Sequence, residues 1–330
     1  MAVTANTNET YDVSTIREDL SEAMASITPT ETLFMSTIGT RNVDNTYFEW
    51  SEVDLAATGA NRQIEGDVGL SNTSPTNAVR KGGYTQISAK VVEVSSTNQA
   101  VNGVANAQTV AKQVAYKLSE LKRDMEAMLL DNVASNAGAS GTARQTAGLP
   151  AYLTSNVSRG TSGANGTTSG TGEAGSVDAA ATDGTLRPIT EALLKGVIAD
   201  CWNAGATPKI VMCGSAQKQK ISTFTGNATR FKEAEDSKLN AAIDVYVSDF
   251  GEVQIVPNRH MRVRTVSSVD YTPDVFVLDP SYAEVAYLQT AKQEPLAKTG
   301  LSERRLISCE YGLQVTSQKA HGIVADINAS

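Results

Sequence analysis

The stretch VANAQTVAKQVAYKLSELKRDMEAMLLDNVASNA (residues 104–137) carries the strongest periodicity in the 330-residue chain. Val110, Val114, Leu118, Leu121, Met125 and Met128 recur at steps of three and four, which places them on one face of an α-helix. Lys112, Lys117, Glu120, Lys122, Arg123 and Asp124 fill much of the remaining circumference. At 1.5 Å per residue the helix would run to about 45–50 Å, longer than most globular helices. The expectation is a spine on which other elements pack.

On its N-terminal side, residues 46–100 read as β structure around a long loop. TYFEWSEVDL alternates Tyr47 and Glu49 against Phe48 and Trp50, and YTQISAKVVEVS places Ile87, Ala89 and Val91 on one face. The intervening AATGANRQIEGDVGLSNTSPTNAVRKGG has too few apolar residues for a core, and KGGY (residues 81–84) reads as a turn. Two strands so joined form an extended arm rather than a tight hairpin. Residues 1–25 are polar, with one short helix expected within STIREDLSEAMASI and the rest an arm that orders against a partner.

On the C-terminal side, residues 138–187 are rich in Gly, Ser, Thr and Ala, with GLPAYL the only apolar island. The end of that stretch reads as a flexible surface excursion. TEALLKGVIADCWNAG predicts a helix capped by Thr190 and closed by Gly205, with Leu193, Leu194, Val197, Ile198, Cys201 and Trp202 on one stripe. PKIVMCG and PDVFVLDP predict short buried strands, and DVYVSDFGEVQIVP two strands around a Phe-Gly turn. AEVAYLQT, ERRLISCEYGLQVTS and AHGIVADI are strand-like. No repeat of 20–50 residues is present.

Composition narrows the function classes. The chain is 41% hydrophobic but only 5% aromatic, so its core is aliphatic. A formal net charge of −8 weighs against broad attraction to nucleic acid. Cys201, Cys213 and Cys309 are far apart and read as reduced core residues. The opening MAVTANTNETYDV lacks the pattern of a signal peptide, and no apolar run approaches the ~20 residues that cross a bilayer. The expectation is a protein kept in the cytoplasm, or in something assembled there, with no membrane partner.

No motif for chemistry emerges. His260 and His321 lack partners at metal-ligand spacing and read as surface or polar-contact residues. There is no nucleophile elbow, phosphate loop or dinucleotide fingerprint, and acid pairs such as Asp244 with Asp249 read as solvated. Catalytic, cofactor-binding and metal residues are therefore expected to be absent. Arg62, Arg80 and Lys81 share the long loop with Glu65 and Asp67. They form either a solvated loop or a surface complementary to a neighbouring subunit. Trp50, beside Phe48, either packs the base of the arm or anchors in a neighbour.

Four further stretches carry a resemblance. SITPTETLFMSTIGTR (residues 26–41), followed by TYFEWSEVDLA, resembles the start of a family of tailed-bacteriophage major capsid proteins. ARQTAGLPAYLTSN (143–156), TDGTLRPITEALLKGVIADCWNAG (182–205) and QKQKISTFTGNATR (217–230) look like that family's later signatures, in order. The resemblance implies an α+β chain with the Hong Kong 97-type capsid fold. It implies an N-terminal arm over 1–45, an extended loop over 46–100 and a peripheral domain from 101–137 and 283–330. It further implies an insertion over 138–187 and an axial domain over 188–282.

The implied function is a shell protein. Copies would group as pentamers and hexamers into an icosahedral capsid around double-stranded DNA, contacted without sequence specificity. The implied partners are further copies, a portal protein, and separate scaffolding or decoration proteins where they are needed. The implied location is the virion capsid, assembled in the bacterial host cytoplasm. Two other classes compete: a hydrolase using an acid pair in the α/β unit, and a phage surface decoration or adhesion module suggested by the Gly/Ser/Thr-rich stretch. Closed particles without turnover distinguish the shell from both.

Overall fold

The computed structural model describes residues 28–63, 65–66, 75–101, 109–168, 175–224, 245–261, 264–266, 269–271, 273–298 and 300–328. The first elements are α1 (Leu33–Thr37), β1 (Gly39–Asn42), β2 (Tyr47–Glu52), β3 (Val79–Tyr84), β4 (Gln86–Ser95), α2 (Ser96–Ala100), α3 (Val110–Leu129) and α4 (Leu149–Tyr152). Next come β5 (Val157–Ser158), β6 (Thr167–Thr168), β7 (Val177–Ala179), α5 (Glu191–Asn203), β8 (Ile210–Cys213) and α6 (Ser215–Ile221). The remainder are β9 (Val245–Ser248), β10 (Gly251–Pro257), β11 (Arg264–Val266), β12 (Val269–Tyr271), β13 (Val275–Leu278), β14 (Ala283–Pro295), β15 (Ser302–Val315) and β16 (Gly322–Val324).

Two sheets carry the architecture. The first runs β1-β14-β15-β4, and α3 lies across one of its faces. Leu121, Met125 and Leu129 of the helix are buried with Val92 and Val94 of β4 in one apolar cluster. Lys90 reaches from β4 to Glu120 and Asp124 of the helix at 3.3 and 2.7 Å. The second sheet runs β5-β16-β13-β8-β10-β9, with α5 and α6 packed against one face through Leu194, Val197, Ile198 and Ile221. Met212, Phe276 and Leu278 on its other face join the α3 cluster, so the central strands are covered on both sides. That is why IVMC and VFVL read as unbroken apolar runs rather than alternating ones.

Several expectations are corrected. The spine helix is 20 residues long rather than the 34 of the periodic stretch, about 30 Å. It stops because the next residues find other backbone partners. Asn132 exchanges hydrogen bonds with Ala181 at 2.7 and 3.0 Å, and the Ser135 amide donates to Val177 at 3.0 Å.

Those bonds draw in the stretch expected to be an excursion. Within 138–187, Ala147, Leu149, Ala151 and Leu153 are 1% exposed or less, and Val177 is fully buried. Glycine there permits close packing rather than freedom: a Cβ on Gly160 would sit 2.0 Å from the Thr185 carbonyl oxygen. KGGY is strand, not turn. A Cβ on Gly82 would lie 2.2 Å from the Tyr47 hydroxyl, so the missing side chain is the seat for a facing ring.

Residues 33–43 are not arm. Phe34, Ile38 and Val43 are buried, and β1 pairs with β14 in parallel. β5 and β16, expected in the insertion and the peripheral domain, complete the second sheet, because Ile323 and Val324 are fully buried there. Trp202 leaves the α5 stripe, 51% exposed, and packs on Phe250 instead, ring centres 5.1 Å apart. The helix expected within 14–27 lies outside the described residues.

Candidate functional site

The β2–β3 ribbon and the loop it carries form the candidate site. Its two strands pair antiparallel from Tyr47 with Tyr84 to Glu52 with Val79. Phe48 and Trp50 point inward, their rings 6.0 Å apart, and Trp50 lies 6.3 Å from the ring of Tyr152. The Tyr152 hydroxyl donates to the Leu313 carbonyl at 3.1 Å, and complete burial raises its pKa well above the usual phenol range. Tyr47 covers Gly82 and is pushed up to about 12, first by burial and then by Glu49.

Beyond the last strand pair the chain stays tethered. Ser317 Oγ donates to Glu52 Oε1 at 2.8 Å, and Lys319 Nζ to Asp54 Oδ2 at 2.6 Å. At the other end, where β3 gives way to β4, Thr85 is fully buried. Its amide donates to the Thr46 carbonyl at 2.8 Å and its hydroxyl to Glu310 at 2.7 Å, and Glu310 also pairs with Arg144. The ribbon is thus fixed at both ends of its base, while residues 55–63 are wholly exposed.

The six candidate contacts separate clearly. Trp50 is only 8% exposed and packs within its own chain, on Phe48 and Tyr152. Arg80 pairs with Glu49 across the ribbon. Lys81 sits opposite Trp50, half-buried, in a shallow cleft that Glu52, Tyr152, Val315 and Gln318 also line. Arg62 and Glu65 are exposed on the loop, and Asp67 lies outside the described residues.

Glu126 carries no signal in the sequence that marks it out. This α3 carboxylate is fully buried. Its Oε1 accepts from the Phe34 amide at 2.6 Å and Asn258 Nδ2 at 2.7 Å, and its Oε2 from the Met35 amide at 2.9 Å. Thr32 at the start of α1 makes no side-chain cap, so Glu126 performs that capping from another helix. It joins the N-terminal segment, the spine and the end of β10.

The residues suited to chemistry are structural in their surroundings. His321 is 1% exposed, not a surface residue. Burial pushes it down to about 4, against the opposing pull of the Tyr282 backbone and Asp279. The three cysteines are free and buried, and burial raises Cys201 and Cys213 to about 12 and Cys309 to about 11. Among the described residues, no three of His, Cys, Asp and Glu gather to hold a metal ion, and no helix is long and apolar enough to cross a membrane.

This geometry suits contact between proteins, and comparison with known proteins gives it a context. The SU10 major capsid protein family matches residues 3–328. The major capsid protein of Escherichia phage Phieco32 is 28% identical over 148 residues, 44% of this chain and 39% of that one. A capsid of a native GTA particle has a TM-score of 0.63 at 12% identity, covering 97% of this chain and 98% of that one. A structure from Gordonia phage Cozz has a TM-score of 0.61 at 12% identity, covering 99% and 98%. The holo-SrpI encapsulin complex from Synechococcus elongatus PCC 7942 has a TM-score of 0.55 at 10% identity, covering 96% and 94%. The α+β architecture is the Hong Kong 97-type capsid fold. The chain belongs to the SU10 major capsid protein family, the shell proteins of phages.

Proposed function

We propose that this capsid protein closes as pentamers and hexamers into an icosahedral shell around a tailed phage's double-stranded DNA. The observation that carries the reading is the ribbon, pinned at its base and bare beyond it. A loop so held reaches out in a fixed direction and covers the adjacent subunit, where Arg62, Glu65 and Asp67 meet its charges. Arg80 and Lys81 would serve the same contact at the ribbon's base. The four-stranded sheet with α3 acts as the peripheral unit and the six-stranded sheet with α5 and α6 as the axial unit. Residues before α1 serve as a clasp on a neighbour.

Each contact recurs in every subunit, so weak single contacts suffice for a closed particle. The DNA is contacted without sequence specificity, and the net charge of −8 keeps that contact weak. A portal protein, and scaffolding or decoration proteins where required, complete a virion assembled in the bacterial cytoplasm. Negative-stain electron microscopy tests this on the expressed protein, alone and with the neighbouring gene products of its phage. Closed shells or capsomer rings are expected. A persistent small oligomer in both preparations would overturn the proposal.

A further inference from the structure

The cleft beside Trp50 is lined by donors that the subunit itself does not use. Trp50 and Lys81 stand directly opposite each other on the ribbon, so their side chains lie together on one face. Trp50 is 8% exposed, and its indole N–H is buried and meets no acceptor among the described residues. An indole nitrogen can only donate, and a buried donor without an acceptor is costly. Lys81 lines the same cleft and makes no ion pair or hydrogen bond among the described residues.

Gln318 supplies a third donor. Its Oε1 accepts from the Thr154 and Ser155 amides at 3.1 and 3.0 Å and from Ser155 Oγ at 3.0 Å. Those bonds fix the orientation of the side-chain amide, because the reverse would set its NH₂ group against two N–H donors. The NH₂ group then has no partner among the described residues, on a side chain that lines the cleft. Tyr152 and Val315 form an apolar wall, and the Tyr152 hydroxyl is spent on the Leu313 carbonyl. The acidic residue of the lining, Glu52, already accepts from Ser317.

We propose that this cleft binds a carboxylate group. The Trp50 N–H and the Gln318 NH₂ donate to its oxygens, and the Lys81 ammonium balances its charge. A carboxylate is planar, accepts at both oxygens and never donates, which matches a wall of donors. It brings one negative charge for the one lysine. A phosphate would bring nearly two beside Glu52. The carbon stem of the ligand rests against Tyr152 and Val315. The site is built within one folded subunit, so it does not depend on the shell reading.

The test titrates sodium acetate into dispersed full-length subunits, with sodium chloride and sodium phosphate at equal ionic strength beside it. The readout is the indole N–H resonance of Trp50 by NMR. The chain has two tryptophans, and Trp202→Phe assigns the one that remains. A saturable downfield shift with a millimolar Kd is expected for acetate. Lys81→Met should raise that Kd at least about tenfold with the circular dichroism unchanged, and Lys81→Arg should restore it to within about threefold. A short peptide with blocked ends and one glutamate, titrated in the same way, distinguishes the source of the group. Binding at least about tenfold tighter than acetate assigns the cleft to an acidic side chain of a protein, and equal or weaker binding assigns it to a free carboxylate ion. A shift that chloride or phosphate reproduces, that never saturates, or that persists in Lys81→Met would overturn the site. Dispersed subunits suffice for every arm, so chains that never assemble would sink the shell reading and leave this one standing.

Discussion

Replacing Glu126 with alanine should loosen two distant parts of the subunit together. The carboxylate accepts three hydrogen bonds, from the Phe34 and Met35 amides and from Asn258 Nδ2. Phe34 and Asn258 are buried at 0 and 3% exposure, so water cannot replace the lost acceptor for either. A buried donor left unpaired costs about 1–3 kcal/mol. Two such donors, with a smaller term for the partly buried Met35 amide, give about 3–5 kcal/mol after relief of the buried charge offsets part of the loss. Glu126→Gln keeps one acceptor oxygen but sets an NH₂ group against a donor, and should lose about half as much. Urea unfolding of dispersed subunits measures the stabilities, and amide hydrogen exchange reads the site. Exchange at Phe34 and Met35 should rise along with that of residues 255–260. A loss below about 1 kcal/mol, or unchanged protection at Phe34 and Met35, would refute the capping argument.

Three other outcomes follow from the same geometry. His321 is held neutral with its pKa near 4, below the value of ~6.5 it regains on unfolding. The unfolded chain therefore binds the extra proton between those pH values. Stability should fall by about 3 kcal/mol as pH drops from 6.5 to 4, and His321→Gln should flatten that slope in urea titrations. All three cysteines should resist a thiol reagent at pH 8 in the native subunit and react fully once it is unfolded, as absorbance of the released thiolate reports. Gly82→Ala should cost about 1–3 kcal/mol through the clash with Tyr47, and Tyr47→Ala should remove most of that penalty in a double-mutant cycle.

How far the fold could be read from the chain depended on whether a residue's neighbours were near in sequence. The α3 face was legible because Leu118, Leu121 and Met125 report a helix period among themselves. Thr190 as a cap was legible too, since its hydroxyl accepts from the Leu193 amide three residues on. Gly82 was misread because glycine signals a turn unless the facing ring is known, and Tyr47 lies on another strand. Glu126 was missed for the same reason. Its partners are 91, 92 and 132 residues away, and an acidic residue on a helix ordinarily faces water. The 138–187 stretch misled through composition: its few apolar residues are almost all spent on the core. The candidate contact residues could be picked out only as a group, because Arg62 and Glu65 are exposed on the loop and the role proposed for them depends on a second chain.

The register of the four-stranded sheet sets a timetable for synthesis. Gly39 pairs with Glu284, and every described strand contact of β4 is with β15 at residues 302–311. At about 5–20 residues per second, β1 waits on the order of ten to fifty seconds on the ribosome before its partner exists. Until then the ribbon has no Lys319 or Ser317 to hold it and no sheet from which to project. The nascent chain cannot present a finished contact surface, so synthesis of residues 302–319 acts as the licence to assemble.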